Sequence, residues 1–129
     1  MKQFSKHWKE SKNPRKQRKY LKNLPLHIRK NLVSSSLSKE LRKKYNRRNI
    51  PLRTGDKVKV MVGQFKKITG KVNNVNKKNL KAYIDGVEIV KKDGTKRFYP
   101  IHTSNLQIVE LSIDDKKRKE SLERRMIKK

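Results

Sequence analysis

Residues 56–72 read DKVKVMVGQFKKITGKV, and this stretch decides the fold. Val58, Val60 and Val62 alternate with polar residues, and the alternation breaks at Gly63 before it resumes. Apolar residues at every second position, bounded by glycine, are typical of a half-buried β-strand, a tight loop and a returning strand. The segment therefore predicts a hairpin.

Outward from this hairpin, residues 52–111 predict a mainly β domain. About five short strands are indicated, without intervening helices, at 57–62, 68–75, 80–84, 87–91 with 96–101, and 106–111. The fourth is itself a hairpin, because Asp93-Gly94 favours a tight turn. Short strands at this spacing are typical of a small antiparallel barrel. The predicted core is small and consists of Leu52, Val58, Val60, Val72, Ile84, Val87, Ile89, Phe98, Leu106 and Ile108.

Two short helices are predicted on the N-terminal side of the strands. Residues 25–33 allow the first, with Pro25 in its first turn, where a proline is tolerated. A serine of residues 34–36 can cap the second, over residues 37–45. The apolar stripe of the second helix is narrow and consists of Leu37, Leu41 and Tyr45. Such a helix is barely stable alone and needs the domain or a binding partner to lie on.

The chain divides into four expected segments: a basic extended arm at 1–24, a short helical segment at 25–49, the barrel at 50–113 and a basic C-terminal helix at 114–129. The last helix is predicted over 114–127, since Asp114 and Asp115 suit its positive N-terminal end and the lysines at 128 and 129 suit its C-terminal end. The first 23 residues have too little apolar content to fold alone. We expect the arm to be disordered when free and ordered when bound.

The chain is strongly basic, with 38 Lys and Arg against 11 Asp and Glu and a formal net charge of +27. The excess is +15 in residues 1–49, +8 in 50–113 and +4 in 114–129. At that imbalance the free protein repels itself, and a polyanionic partner favours compactness. Nucleic acid is the leading candidate, because basic tracts release counterions from a phosphate backbone. A membrane surface fits less well, since no long segment has a continuous apolar face.

Catalysis and metal binding have little support. The chain has no cysteine, and His7, His27 and His102 are far apart and lack a metal-ligand spacing. No phosphate-binding glycine loop or nucleophile elbow is visible. The sequence therefore predicts no catalytic residue, no metal site and no cofactor.

Membrane insertion and secretion are not indicated either. No stretch approaches the roughly 18 to 20 apolar residues of a transmembrane helix. Residues 1–20 carry many lysines and arginines rather than an apolar secretory core. We expect a protein that acts inside the cell, with no membrane partner.

Three aromatic residues, Phe4, Trp8 and Tyr20, interrupt the charge of the arm. They could stack on exposed bases while the lysines follow phosphates. They could equally pack against the domain, and the sequence leaves both readings open.

The loops of the predicted barrel carry lysines and two informative glycines. Gly63 and Gly70 can adopt positive φ and let backbone segments approach closely, or simply form a bulge or a turn. Loops at one end of a small barrel commonly provide the binding surface. The loop lysines that this placement favours are Lys66, Lys67, Lys71, Lys77, Lys78, Lys91 and Lys92.

The 56–72 segment resembles a KOW motif, which ribosomal proteins and transcription elongation factors share. Its flanks are more specific: PRKQRK at 14–19, PLHIR at 25–29, LSKELRKKY at 37–45, FYPIHTSN at 98–105 and LERR at 122–125. Together they resemble the archaeal form of the "uL twenty-four" family of large-subunit ribosomal proteins, which is related to the eukaryotic form. The resemblance extends from about residue 13 to residue 125. The chain departs from it at Lys67, where glycine is common, and at Ser36 and Thr103, where proline is common.

This resemblance implies an SH3-like (KOW) barrel in a structural constituent of the large ribosomal subunit. It further implies direct binding to large-subunit rRNA near its 5′ region, an early role in subunit assembly, and a position beside the polypeptide exit tunnel. The expected location is the cytoplasm, with the protein a monomer within the ribosome. Expected partners are rRNA and neighbouring large-subunit proteins, with no small-molecule substrate.

The candidate RNA-binding residues come from the arm, the helices and the loops. Among them we favour arginines, because a guanidinium can hold a phosphate with two hydrogen bonds. The full set is Arg15, Lys16, Arg18, Lys19, His27, Arg29, Lys30, Arg42, Lys43, Lys44, Arg47, Arg48, Arg53, Lys66, Lys67, Gly70, Lys71, Lys77, Lys78 and His102.

Three alternatives compete with an rRNA-binding protein. A KOW-containing transcription factor normally carries a preceding α/β domain, and residues 1–49 leave no room for one. A DNA-compacting protein would gain from dimer symmetry or an intercalating wedge, and neither is visible. An enzyme would need a cluster of catalytic residues that only folding could bring together.

Overall fold

The computed structural model describes residues 4, 5, 7, 8 and 10–126. The predicted contribution of residues 127–129 to the last helix lies outside the described residues. In the described part, the helices are α1 (Pro14–Asn23), α2 (Leu26–Leu32), α3 (Lys39–Tyr45) and α4 (Lys116–Met126). The strands are β1 (Ser34–Leu37), β2 (Asn49–Pro51), β3 (Lys57–Val60), β4 (Thr69–Asn76), β5 (Lys81–Ile84), β6 (Glu88–Val90), β7 (Lys96–Phe98), β8 (Ile101–His102) and β9 (Leu106–Glu110).

The strands form one large sheet and one separate hairpin. The seven-stranded sheet has the order β2-β1-β9-β3-β4-β5-β8, and β6 pairs with β7 alone. The prediction of a mainly β domain is confirmed, and so is the hairpin that turns at Asp93-Gly94. The prediction of an antiparallel barrel is wrong in two respects. Strand β1 runs parallel to β9, and the outer strands β2 and β8 do not pair within the described residues, so the sheet is not a closed barrel.

The residues that the sequence pattern predicts to be core are buried, with two exceptions. Eight of the ten predicted core residues are buried, among them Val58 and Val60 at 0 % exposure. Ile89 is 41 % exposed and Phe98 is half-buried, so both predictions are wrong. These two residues belong to the β6–β7 hairpin, which forms a two-stranded sheet separate from the main sheet. Buried residues that were not predicted include Leu24, Val33, Leu37, Tyr45, Ile50, Ala82, Ile101 and Leu122.

The serines of residues 34–36 lie in strand β1 rather than at a helix cap. Ser35 is buried, and its hydroxyl donates to the carbonyl of Thr103 at 2.7 Å. Leu37 ends this strand and is fully buried, so it is not part of a helical stripe. The cap of α3 is Ser38, whose hydroxyl accepts from the Leu41 amide at 3.3 Å. The prediction failed because a serine run favours a cap locally, whereas pairing with β2 and β9 satisfies the same backbone groups.

Three helices, rather than two, precede the main sheet. Residues 14–23 form α1, so the prediction of an extended segment is wrong for this part of the arm. Asn13 caps the helix by accepting from the Arg15 amide at 3.0 Å, and Pro14 occupies its first turn. Helix α2 matches the predicted segment, with Pro25 as its N-cap.

The aromatic residues of the arm pack on one another. The ring centroids of Phe4 and Trp8 lie 5.5 Å and 4.4 Å from the ring centroid of Tyr20.

Backbone geometry explains two of the glycines. Gly63 has φ +97°, as predicted for a turn. Gly70 does not have positive φ, but a β-carbon there would lie 2.2 Å from the Asp85 carbonyl oxygen, so the predicted close approach of backbone is confirmed. Lys67, which stands where the family commonly has glycine, has φ +76°. The lysine therefore occupies a conformation that glycine adopts without strain.

Candidate nucleic-acid interface

A cleft of about 510 Å³, which we call the basic cleft, lies between α2, β2 and α4. Its floor is apolar, with Val33, Ile50, Leu52 and Leu122 all buried. Its walls carry six basic residues and, among the described residues, no carboxylate. The six are Lys30, Arg47, Arg53, Lys77, Lys117 and Arg118. Two of the six, Arg53 and Arg118, are paired with Asp115 and Asp56, which do not line the cleft. An apolar floor with a basic wall is suited to holding a chain of phosphates.

Helix α4 closes one side of the basic cleft and is fixed there by a buried ion pair. Asp56, at the start of β3, is fully buried, and its carboxylate accepts from Arg118 Nη1 at 2.7 Å and Nη2 at 2.8 Å. The same carboxylate accepts from the amides of Arg53 at 2.9 Å and Ser112 at 3.0 Å. A buried carboxylate with four donors is compensated for its loss of water.

Two arginines of the cleft wall are held by contacts with residues of α4 or its N-terminal end. Arg47 Nη2 donates to the Ser121 carbonyl at 2.7 Å. Arg53 forms an ion pair with Asp115, the residue before α4. The hydrogen bond from Arg53, together with one from the Lys117 amide, holds the pKa of Asp115 below its ordinary value. These contacts place both arginines at the cleft before any ligand binds.

Arg29 connects, through hydrogen bonds, the elements that carry the exposed cations around the cleft. Its guanidinium is buried and donates to the carbonyls of Leu21 at 2.6 Å and Lys22 at 3.2 Å, at the end of α1. It also donates to the Lys78 carbonyl at 3.4 Å, in the β4–β5 turn. Arg29 was predicted to contact RNA, and such a contact would require exchange of these hydrogen bonds. The observed role is to position α1, α2 and the turn.

The structure brings four of the predicted RNA-binding residues together and distributes the others. Lys30, Arg47, Arg53 and Lys77 line the basic cleft. The other residues are exposed, apart from Arg29, Arg42 and Gly70, of which the last two are half-buried. They lie on α1 (Arg15, Lys16, Arg18, Lys19), on α2 (His27, Arg29), on and after α3 (Arg42, Lys43, Lys44, Arg48), in the β3–β4 loop (Lys66, Lys67), on β4 (Gly70, Lys71), in the β4–β5 turn (Lys78) and on β8 (His102). Their contact with RNA stays a prediction.

Besides Arg29, the distributed residues Arg42 and His102 make hydrogen bonds that support the fold. Arg42 Nε donates to the Leu37 carbonyl at 2.8 Å and so fastens α3 to the end of β1. His102 caps the short 3₁₀ turn Thr103–Asn105, where its Nδ1 accepts from the Ser104 amide at 3.3 Å.

The sequence did not indicate Lys117 and Arg118 as parts of the site. Arg118 and Asp56 are 62 positions apart, and no local pattern joins them. One signal was available: Asp56 is an acid next to a strand of otherwise apolar and basic residues, where a partner of opposite charge would be needed.

The chemistry of the interface is that of binding. In residues 4, 5, 7, 8 and 10–126, no group of three or more His, Cys, Asp or Glu could hold a metal ion. No helix within these residues has the length and apolar character required to cross a membrane. The arrangement offers hydrogen-bond donors and positive charge to an anionic ligand.

Known proteins match this chain over most of its length. The family model described as "Ribosomal proteins L26 eukaryotic, L24P archaeal" matches residues 11–125. The chain is also 45 % identical over 116 residues to "Large ribosomal subunit protein uL24" of Methanosphaera stadtmanae, a match that covers 90 % of this chain and 99 % of the relative. The family match, over residues 11–125, includes the sheet, the basic cleft and most of α4.

Proposed function

The chain belongs to the family of eukaryotic L26 and archaeal L24P ribosomal proteins, and from this premise we propose that it binds large-subunit rRNA directly, with the basic cleft as a principal phosphate site. The family consists of structural ribosomal proteins and not of enzymes. The chain is accordingly a protein of the large ribosomal subunit, in the cytoplasm, as the resemblance implied. Neighbouring large-subunit proteins are its other proposed partners.

The observation that carries this proposal is the convergence of six basic side chains on one cleft. They come from α2, the α3–β2 loop, the β2–β3 loop, the β4–β5 turn and α4. Arg118 is buried and paired with Asp56, so its role is to fix α4. Hydrogen bonds already hold Arg47 and Arg53 at the cleft wall. Because these side chains lose little conformational freedom on binding, their contacts with phosphate are less opposed by entropy. RNA duplexes are read mainly by shape and phosphate contact, which suits such a site.

The resemblance supports three finer proposals. The protein acts early in subunit assembly, it lies near the polypeptide exit tunnel, and it is present as a monomer within the ribosome. Strands β3, β4, β5, β8 and β9 would correspond to the SH3-like unit of the family, in a form that is open at the edges.

A binding experiment tests the rRNA proposal. The full chain would be titrated with transcribed large-subunit rRNA and, separately, with small-subunit rRNA from the same source, over a series of salt concentrations. We expect saturable binding that favours the large-subunit RNA. Equal affinity for the two RNAs, or for duplex DNA in competition, would instead favour a general nucleic-acid binder.

A matched pair of variants tests the cleft itself. Lys30→Gln/Lys77→Gln/Lys117→Gln removes three exposed charges from the cleft, and Lys91→Gln/Lys92→Gln/Lys96→Gln removes three from the β6–β7 hairpin. We expect the cleft variant to lower the slope of log affinity against log salt by about two, because each lost phosphate contact contributes roughly 0.7 to 0.9. The hairpin variant should change the slope less. Equal effects would contradict a principal role for the cleft.

A further inference from the structure

A second groove of about 760 Å³, which we call the outer groove, lies on β4, β5 and the β6–β7 hairpin. The residues that matter in it are Asn74, Asn76, Lys77, Tyr83, Arg97 and Phe98. We propose that the outer groove binds an unpaired base of single-stranded RNA, between amide donors and aromatic rings. This inference rests on the proposed function, since the RNA concerned is the one whose phosphates occupy the basic cleft.

The strand register places the key side chains on the outer face of the sheet. Asn74 lies opposite Tyr83, and Val75 lies opposite Ala82, which is fully buried. A register irregularity between Val72 and Asn74 shifts the alternation of β4. Beyond it, side chains alternate between the two faces, so Asn74, Asn76 and Tyr83 lie on the face opposite to Val75 and Ala82. Cross-strand neighbours on one face are close enough to contact a common ligand.

The two asparagines are oriented by their own backbone. Asn74 Oδ1 accepts from the Val75 amide at 2.7 Å, and Asn76 Oδ1 accepts from the Asn79 amide at 3.1 Å. Each side-chain oxygen is thereby engaged, and each NH₂ group remains a donor. Amide donors of this kind recognise the ring nitrogens and carbonyl oxygens on the edges of an unstacked base.

The aromatic rings of the outer groove are available for stacking. Tyr83 and Phe98 are half-buried, and neither packs against another aromatic ring in the part of the chain that the structure describes. Phe65 and Tyr99, by contrast, pack on each other with centroids 5.2 Å apart. Base-on-aromatic stacking is tolerant of base identity, since every base has a π-face. Arg97, which is exposed, adds a cation beside the rings.

The outer groove is continuous with the basic cleft. Lys77 lines both, and it also lines an intermediate groove of about 490 Å³ together with Arg53 and Asn74. One strand of RNA can therefore follow phosphate contacts through the cleft, pass Lys77 and place a base against Tyr83 and Phe98. The intermediate groove also carries Asp114 and Asp115, the second of which is paired with Arg53, so Lys77 is the cation that links the cleft to the outer groove. Cations that lead to a stacking platform are the arrangement that single-strand-binding surfaces use.

The test compares two probes with the same phosphates. The full chain would be titrated, by fluorescence anisotropy, with an oligoadenylate of about ten nucleotides and with an abasic oligonucleotide of equal length. We expect the oligoadenylate to bind about 5- to 150-fold more tightly, the range that one stacked base contributes. Tyr83→Leu/Phe98→Leu should abolish this difference and leave the salt slope unchanged. Tyr99→Leu, which removes a ring outside the groove, should preserve it.

The proposal would be overturned if the wild-type chain bound the two probes with equal affinity, or if it bound neither of them. A preference for the oligoadenylate that survives in Tyr83→Leu/Phe98→Leu would also overturn it, because the stacked base would then lie elsewhere. The folding of each variant is first checked by circular dichroism, and only folded variants are compared with the wild-type chain. The titration with large-subunit rRNA decides the proposed function separately, since phosphate contacts alone can support it.

Discussion

Arg118 and Asp56 meet in the protein interior as a fork of two hydrogen bonds, Nη1 to Oδ1 at 2.7 Å and Nη2 to Oδ2 at 2.8 Å. Arg118 lies near the start of α4, and Asp56 immediately precedes β3. Arg118 Nη1 also donates to the Ser112 carbonyl at 2.8 Å. The pair therefore joins the C-terminal helix to the central sheet, and with it the wall of the basic cleft that carries Lys117.

Loss of this pair should be strongly destabilising. Asp56→Asn leaves the Arg118 guanidinium buried without its counter-charge, and we expect the free energy of unfolding to fall by about 3–5 kcal/mol. Urea denaturation measures the loss. Asp85→Asn, an exposed acid-to-amide change, serves as the control and should change stability little. The double variant Asp56→Asn/Arg118→Met should recover part of the loss, and a double variant less stable than Asp56→Asn would contradict the assignment.

The close approach at Gly70 should make that position intolerant of any side chain. In Gly70→Ala the new β-carbon would lie 2.2 Å from the Asp85 carbonyl oxygen and 2.7 Å from Ile84 Cγ2, so β4 and β5 must separate. We expect a loss of about 3 kcal/mol or more in chemical denaturation, at the upper end of overpacking effects. Gly70→Val should be worse and should prevent incorporation into the subunit.

Gly63→Ala provides the comparison for Gly70→Ala. Nothing lies within 4 Å of its added β-carbon, but φ is +97°. Only backbone strain of roughly 1–2 kcal/mol is expected there. Equal losses at the two glycines would show that contact with Asp85 is not the cause.

Lys67→Gly should leave the fold intact and stabilise it slightly. Lys67 has φ +76°, a conformation that costs a side-chain-bearing residue roughly 1–2 kcal/mol. Glycine removes that strain but gains freedom in the unfolded chain, which offsets roughly 0.4–1 kcal/mol. The net gain in unfolding free energy should lie between zero and about 1.6 kcal/mol, measured by thermal and urea denaturation. A loss of stability would mean that the lysine makes compensating contacts.

The cations of α1 should contribute to rRNA affinity through phosphate contacts. Arg15→Gln/Lys16→Gln/Arg18→Gln/Lys19→Gln removes four exposed charges and keeps Asn13, Pro14 and the helix. If all four contact phosphates, the salt slope of rRNA affinity should fall by roughly three, at 0.7 to 0.9 for each contact. Deletion of residues 1–23 should reduce the slope in the same direction. An unchanged slope in both variants would mean that the arm does not contact RNA.

The central hairpin was predictable because its signals are local. Val58 and Val60 alternate with lysines, and Gly63 marks the turn, so a half-buried strand and its end follow from neighbouring residues. The same holds for the turn at Asp93-Gly94. The exposure of the β6–β7 hairpin could not be predicted, because Ile89 has the same sequence pattern whether or not a second layer covers it.

The features that escaped prediction depend on partners far along the chain. Strand β1 exists because residues 34–37 pair with β9, some 70 positions away, and a run of serines carries no sign of that pairing. The basic cleft depends in the same way on Asp56 and Arg118. Four of its six cations were among the predicted residues because basic residues in helices and loops were favoured generally. Their convergence on one cleft could not be read from the sequence.

The most direct measurement of the central claim is sedimentation of the native protein from its own cells after a high-salt wash. A stable constituent of the large subunit makes many contacts in folded rRNA, and we predict that it remains in the large-subunit peak of the gradient. Contacts with phosphates alone would be stripped by the salt. Release of the protein into the light fractions would contradict the account and would favour a transient assembly factor or a general nucleic-acid binder.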